Sequence, residues 1–196
     1  MSFRIEDKLY IKIENLLDFK FFLSKIKAKT LYEPRIITSL YFDNINLEMY
    51  RDSLEGTAPR KKIRIREYPN SIDKKNYLEI KTSSIEGRFK KRQTINNKEF
   101  NEFKTQGIFD NQYGLCFPNY YVSYLREYAL IDDVRISIDT GIKYKNFQTN
   151  ISYNDDKKII VELKTSANKD LDDLIKLFPF QRIRFSKYCF AVENLN

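Results

Sequence analysis

The chain has 196 residues, of which 42% are hydrophobic and 15% aromatic, so it can build a folded core and is not of the disordered class. Lys and Arg outnumber Asp and Glu by 35 to 27, and the net charge of +8 favours anionic ligands. The sequence contains no histidine, which excludes histidine-based catalytic triads and histidine metal sites. A catalytic metal ion would therefore need oxygen ligands, which suit Mg²⁺ or Mn²⁺.

The first strand is predicted at the start of the chain, where charged and apolar residues alternate. A two-residue period places alternate side chains on opposite faces of a strand. One face carries Arg4, Glu6, Lys8 and Tyr10. The other carries Phe3, Ile5, Leu9 and Ile11, with Asp7 as the misfit.

The same alternation predicts further strands along the chain. Their charged positions are Lys62, Arg64 and Arg66, then Glu79 and Lys81, then Arg135 and Asp139, and finally Glu162 and Lys164. A closing strand is expected from Arg182 to Val192. Amphipathic spacing and helix stop signals predict helices over 15–29, 44–54, 97–106 and 170–178.

These elements predict an α+β fold in which about eight strands form an antiparallel β-barrel with flanking helices. No low-complexity linker divides the chain, so we expect a single domain over residues 1–196. If the apolar faces lie under the helices, the charged faces must converge on an interior, which would be a basic hydrophilic tunnel.

The repeated cations indicate what such an interior would bind. Two cations about 4 Å apart repel by roughly 4 kcal/mol at an effective dielectric constant near 20, so an enclosed wall of Arg and Lys requires an anion. Phosphate fits, because Arg binds phosphoryl oxygens with two hydrogen bonds and Lys supplies compact charge.

Single glutamates interrupt these cations at Glu6, Glu79 and Glu162. In a phosphate site they could hold a divalent ion, which phosphoryl transfer needs to neutralise developing charge. The alternative is that they pair with Lys8, Lys81 and Lys164, two positions along the same face.

Location is predicted from the cysteines and from the apolar runs. Cys116 and Cys189 show no disulfide or zinc spacing, which is typical of a reduced intracellular protein. The first residues are charged, and no apolar run approaches the ~18 residues of a membrane span. We therefore expect a cytoplasmic protein with no transmembrane segment.

Seven segments in series resemble the VTC domain, the polyphosphate polymerase branch of the triphosphate tunnel metalloenzymes (the CYTH-like superfamily). The similarity covers Arg4 to Tyr188. The segments are RIEDKLY at 4–10, SLYFDN at 39–44, KIRIREY at 62–68, LEIK at 78–81, RISIDT at 135–140, VELK at 161–164 and RFSKY at 184–188.

This resemblance implies a tunnel enzyme that transfers the terminal phosphoryl group of ATP to a growing polyphosphate chain, with Mn²⁺ or Mg²⁺ as cofactor. It implies catalytic roles for Lys8, Arg64, Arg66, Lys81 and Lys187. It implies substrate-binding roles for Tyr41, Lys62, Arg126, Arg135, Lys164, Arg184 and Ser186. Ser186 and Lys187, with Arg184 just before them, would complete a phosphate clamp from the closing strand. Glu162 would be the principal metal ligand, joined by Glu6 and Glu79.

One departure separates the chain from the wider superfamily, whose first strand reads Glu-x-Glu-x-Lys, because Arg4 replaces the first Glu. This favours a polymerase over a triphosphatase, although hydrolysis of short polyphosphates stays an alternative. A non-catalytic module that binds polyphosphate or nucleic acid is the third hypothesis. We expect ATP and polyphosphate or triphosphate as partners and do not favour nucleic acid, and a membrane-protein partner is left open.

Overall fold

The computed structural model describes residues 4–166 and 180–195. Over these residues the chain forms eleven β-strands and four α-helices. The strands are β1 (Arg4–Lys12), β2 (Lys29–Asp43), β3 (Arg60–Glu67), β4 (Asn76–Ser84), β5 (Gly87–Ile95), β6 (Ile108–Asp110), β7 (Gly114–Ile131), β8 (Val134–Asn146), β9 (Ser152–Asp155), β10 (Lys158–Ser166) and β11 (Gln181–Arg182). The helices are α1 (Leu16–Lys25), α2 (Glu48–Glu55), α3 (Asn97–Gln106) and α4 (Lys187–Leu195), and a 3-10 turn (Ile13–Asn15) precedes α1.

The chain divides into two compact units, neither of which is continuous in sequence. Unit 1 consists of Met1–Arg35, Tyr124–Ile142 and Asn154–Phe185. Unit 2 consists of Ile36–Ser123, Lys143–Tyr153 and Ser186–Asn196. The expectation of a single domain over residues 1–196 stays a prediction.

In unit 1, β1 pairs antiparallel with both β10 and β11, and β10 pairs antiparallel with β8. Apolar side chains of these strands pack against Phe19 and Leu23, which lie one helical turn apart on α1. The strand residues of this core include Leu9, Ile11, Ile136, Ile138, Ile159, Val161 and Leu163. The apolar face of the strands therefore lies under a helix, as the alternation predicts.

In unit 2, β3 lies between β2 and β4, and β4 lies between β3 and β5, all antiparallel. The apolar face of this sheet packs against Met49 of α2, while Phe100 and Phe103 of α3 border the core. Leu40, Phe42, Ile63, Ile65 and Ile95 are its strand members. The charged side chains point to the opposite face of the same strands, and several of them are buried as well.

The α+β class and the antiparallel sheet are confirmed, with eleven strands in the described residues where about eight were expected. The helix over 97–106 is also confirmed. Gly107 ends it with a φ of 81°, and an added Cβ there would lie 2.7 Å from the Cys116 carbonyl oxygen. The first helix is shorter than predicted, because Lys27 adopts a left-handed φ of 56° and β2 begins at Lys29.

The predicted closing strand from Arg182 to Val192 is wrong. Only Gln181–Arg182 is strand, and Lys187–Leu195 is the helix α4. The buried residues Tyr188, Ala191, Val192 and Leu195 follow a three- and four-residue spacing, which suits one face of a helix.

The second helix starts at Glu48, later than the predicted residue 44. The helix predicted over 170–178 lies outside the described residues.

None of the helices among residues 4–166 and 180–195 is long and apolar enough to span a membrane.

Candidate phosphate and metal sites

The charged face of the unit 2 sheet is built by three neighbouring strands. Their register sets Lys62 of β3 beside Lys81 of β4, and Lys81 beside Lys90 of β5. One step along the strands, Glu79 has Arg64 on one side and Arg92 on the other. The period of two therefore brings the predicted residues Lys62, Arg64, Arg66, Glu79 and Lys81 to one face.

Glu79 is fully buried and has four cations around it, which we call the Glu79 cluster: Glu79 with Arg64, Arg66, Lys90 and Arg92. Arg64 donates from Nε and Nη2 to Glu79 Oε2, at 2.9 and 2.7 Å. Lys90 Nζ lies 2.5 Å from the other carboxylate oxygen. Although burial opposes the charged form, Arg64, Arg66 and Lys90 lower the pKa of Glu79 to about 2.

Four cations share the carboxylate of Glu79, and three lysines form a row on the same face. Lys62, Lys81 and Lys90 lie side by side across three strands, and like charges at directly opposite positions destabilise a sheet. Burial and the positive charges of Arg64 and Arg66 also lower the pKa of Lys90, and they outweigh the hydrogen bond and negative charge of Glu79, which raise it. The face is therefore suited to an anionic ligand with several charges.

The segment SLYFDN at 39–44 holds the arginines in place. Ser39 Oγ accepts a hydrogen bond from Arg66 Nε at 3.2 Å, and Tyr41 Oη accepts one from Arg64 Nη1 at 3.0 Å. Burial raises the pKa of the Tyr41 phenol, but Arg64 and Arg66 outweigh it and the net shift is downward. Tyr41 is thus an acceptor that orients a cation.

Asp43, from the same segment, was not predicted to have a role. It is buried, and its carboxylate accepts hydrogen bonds from the backbone N–H groups of Asn44, Met49 and Tyr50 at 2.8–3.0 Å. Tyr188 of α4 donates its hydroxyl to the same carboxylate at 2.7 Å. Asp43 therefore stabilises the first turn of α2 and links it to α4.

The start of α4 carries two of the predicted residues. Ser186 precedes the helix, and its Oγ accepts hydrogen bonds from Lys62 Nζ at 2.9 Å and from the Cys189 N–H at 3.3 Å. Lys187 is the first helical residue. The residues expected to form a phosphate clamp thus lie at a helix N-terminus, where the helix dipole favours negative charge, and not on a strand.

Unit 1 has a second polar group, the Glu162 cluster: Glu162 with Glu6, Lys164, Arg126 and Asp139. Lys164 Nζ lies 2.8 Å from Glu162 Oε2 and 3.5 Å from Glu6 Oε2. Burial disfavours the charged form of Glu162, but a hydrogen bond with Glu6 and the cations Lys164, Arg126 and Lys8 hold its pKa well below the usual range.

Arg126 is fixed by Asp139, a fully buried residue that sequence reasoning placed on a strand without a role. Arg126 donates from Nε and Nη2 to the two oxygens of Asp139 at 2.5 and 2.6 Å, and its Nη2 is 4.0 Å from Glu162 Oε2. Burial alone would lower the pKa of Arg126, but its anionic neighbours, Asp139 among them, raise it well above its usual value. This pair keeps a fixed cation beside Glu162.

Three further predicted residues, Lys8, Arg135 and Arg184, are not members of the Glu79 cluster or the Glu162 cluster. Lys8 donates from Nζ to the Phe185 carbonyl oxygen at 2.6 Å. Arg135 faces Lys164 in the strand register, and Arg184 is exposed between β11 and α4.

Lys90 and Arg92 were not predicted as site residues, because β5 carries charges on both faces and shows no alternation.

The Glu6–Glu162 pair fits a divalent ion better than Glu79 does. Two neighbouring carboxyl groups repel when both are charged unless a proton or a cation lies between them, and they therefore attract cations: Lys164 Nζ lies 2.8 Å from Glu162 and 3.5 Å from Glu6. Magnesium is commonly bound through one or two carboxylates together with substrate phosphates. No group of three or more metal-binding side chains exists among the described residues, so the substrate would supply further oxygens. The four cations around Glu79 make it a poor metal ligand.

Comparison with known proteins gives a family and a fold. The family model of the VTC domain matches residues 3–114 and 108–196. No curated protein matches the sequence.

Similar solved structures include a candidate adenylate cyclase from Bacillus halodurans, 14% identical with a TM-score of 0.62, with 94% of each chain covered. A candidate adenylyl cyclase from Hippeastrum with a dominant triphosphatase activity is 12% identical with a TM-score of 0.58, with 96% of each chain covered. The PH1819 protein from Pyrococcus horikoshii is 14% identical with a TM-score of 0.58, and 97% of this chain and 99% of that one are covered.

The chain shares the fold of these solved structures. Its sequence places it in the VTC domain family, and the chain belongs to that family.

Proposed function

We propose that the chain is a metal-dependent polyphosphate polymerase that transfers the terminal phosphoryl group of ATP to a growing polyphosphate chain. The observation that carries this proposal is the arrangement of cations on the charged face of unit 2. Lys62, Lys81 and Lys90 form a row across three strands, and Lys90 is also one of the four cations that meet the carboxylate of Glu79. A polyphosphate supplies negative charges at regular spacing, as such a row requires.

In this proposal the cations bind phosphoryl oxygens and offset the charge that develops during transfer. The catalytic cations are Lys8, Arg64, Arg66, Lys81 and Lys187. Substrate is bound by Tyr41, Lys62, Arg126, Arg135, Lys164, Arg184 and Ser186. Glu79 orients Arg64 and Arg66 for this task, in place of the metal role expected from the sequence.

Glu162 and Glu6 would hold Mn²⁺ or Mg²⁺, which supplies charge neutralisation when it is bound. The reaction joins a terminal oxygen of the phosphate chain to the γ-phosphorus of ATP. The bond from that phosphorus to the β,γ-bridging oxygen breaks, and its electron pair leaves with ADP. The chain's own contribution is to position both substrates and to exclude competing water, with no covalent enzyme intermediate. We place the reaction in the cytoplasm, because Cys116 and Cys189 are both free thiols, as is typical of proteins in a reducing compartment.

The test is incubation of the protein with ATP and Mn²⁺, followed by gel analysis of the phosphate products. A polymerase gives long chains and ADP. Release of phosphate from ATP or tripolyphosphate without chain growth would instead identify a hydrolase. If neither long chains nor free phosphate form, the protein is a non-catalytic binding module.

A matched pair of variants tests the metal role. Glu162→Gln should lose metal-dependent turnover while it retains tripolyphosphate binding. Glu127→Gln, which breaks the ion pair between Lys20 and Glu127 elsewhere in unit 1, should keep full activity. Full turnover by Glu162→Gln would remove this residue from the mechanism.

A further inference from the structure

The charged face of the unit 2 sheet changes character along its strands. At one end, Lys62, Lys81 and Lys90 lie side by side. At the other end, Tyr77 lies beside Arg66, and Tyr68 follows β3 with the same two-residue spacing. One direction along the face therefore leads from cations to aromatic rings.

Arg92 joins these two ends. Its guanidinium carbon lies 3.7 Å from the ring centroid of Tyr77 and 6.0 Å from that of Tyr68. Its Nε is 3.6 Å from Glu79 Oε1, and its side chain is 42% exposed. The two tyrosine rings meet edge to face, with centroids 5.9 Å apart. Arg92, a member of the Glu79 cluster, thus places a partly exposed flat cation over an aromatic ring.

Such a group suits a nucleobase. Bases stack on tyrosine rings and on arginine planes, and this stacking accepts every base because each has a π-face. Residues two apart on a strand are separated by about 6.6 Å, so Tyr77 lies about 13 Å from Lys81. That distance leaves room for the ribose and the phosphates of an extended nucleotide between the rings and the lysine row.

We propose that Tyr68, Tyr77 and Arg92 form a subsite for the base of the nucleotide donor, with the triphosphate extending over Arg64 and Arg66 towards Lys62, Lys81 and Lys90. The inference rests on the proposed function, because it concerns the same phosphate-binding face. The subsite orients the nucleotide donor along the strands, with its base at the tyrosines and its phosphates towards the lysine row. Stacking without base-edge contacts makes the subsite tolerant of different bases.

The experiment compares two ligands by calorimetry at the same Mg²⁺ concentration: a non-hydrolysable ATP analogue and inorganic imidotriphosphate. Tyr77→Leu keeps an apolar side chain but removes the ring. Loss of one stacked base should weaken binding of the ATP analogue by roughly 5- to 140-fold. Imidotriphosphate should bind as it does to the wild type, within about twofold.

Further variants protect the test against a folding defect. Tyr68→Leu should also weaken binding of the ATP analogue and not of imidotriphosphate, by a smaller factor than Tyr77→Leu. Arg92→Lys keeps the charge near Glu79 and loses the flat surface, so it should also weaken the ATP analogue more than imidotriphosphate. The control is Tyr32→Leu, which removes a ring beside Arg35 in unit 1, and it should bind both ligands like the wild type.

Equal weakening of both ligands, or no change for either in all three variants, would overturn the base subsite. Selective loss of the ATP analogue supports it. If the wild type binds neither ligand, the proposed function fails together with the subsite. If it binds imidotriphosphate normally and the variants show no selectivity, only the subsite fails.

Discussion

Glu79 shows how one buried carboxylate can organise several cations. It has no exposed surface, and Arg64, Arg66, Lys90 and Arg92 approach it from two neighbouring strands. Removing one member of a buried ion pair leaves an uncompensated charge, which costs more than a surface pair contributes. Without Glu79, the arginines that we assign to phosphate binding would repel each other.

We expect Glu79→Gln to destabilise the protein in a pH-dependent way. The pKa of Glu79 falls from an ordinary 4.5 to about 2 on folding, so its contribution is present above about pH 4.5 and is lost as the pH falls through about 2. The shift corresponds to on the order of 3 kcal/mol. Urea unfolding of wild type and variant between pH 7 and pH 3 should show a stability difference that shrinks towards acid.

Glu33→Gln, at an exposed position on β2, serves as the control and should follow the wild-type pH profile. A stability difference between wild type and Glu79→Gln that stays constant across this range would mean that the charge of Glu79 does not stabilise the cluster.

At the scale of elements, Asp43 connects the end of β2 to two helices. Three backbone N–H groups at and before the first turn of α2 and the hydroxyl of Tyr188 on α4 all donate to its carboxylate. Burial raises the pKa of Asp43 and outweighs these donors. The helix α4 also carries Lys187 at its start, so the network supports a residue that we propose to bind phosphate.

We expect Asp43→Asn to cost roughly 2–4 kcal/mol of stability, because in either orientation the amide NH₂ would face at least one backbone N–H group, which can only donate. Tyr188→Phe removes a single donor and should cost less, about 1–2 kcal/mol. Both values can be measured by urea denaturation at pH 7. Equal stability of Asp43→Asn and wild type would contradict the structural role of the carboxylate.

The elements also show which predictions a sequence can support. The two-residue period follows from strand geometry, so it correctly put Arg64, Arg66 and Glu79 on one face. It could not find Lys90 and Arg92, because β5 is charged on both sides. It misassigned residues 187–195, where the apolar positions of a short segment fit a strand or a helix until burial selects between them. The contacts of Asp43 and Asp139 depend on pairing between distant segments.

At the scale of the whole molecule, the net charge of +8 and the buried cations should make stability depend on polyanions. We expect tripolyphosphate to raise the melting temperature of the wild type, since a ligand at 100 times its Kd adds about 2.7 kcal/mol to the stability of the folded state. Differential scanning fluorimetry with increasing tripolyphosphate measures this shift.

The control is sodium chloride at matched ionic strength, which should shift the melting temperature far less. Arg64→Ala should reduce the tripolyphosphate response. An unchanged melting temperature of the wild type at millimolar tripolyphosphate would contradict phosphate binding by these cations.

The pairing of β1 with β10 has a consequence for protein synthesis. β1 is Arg4–Lys12, and the strand that bonds to it is Lys158–Ser166, with Lys8 opposite Glu162. During translation β1 therefore leaves the ribosome long before the strand that pairs with it. A truncation that ends before Lys158 would release a product in which β1 has an open edge, which is prone to aggregation.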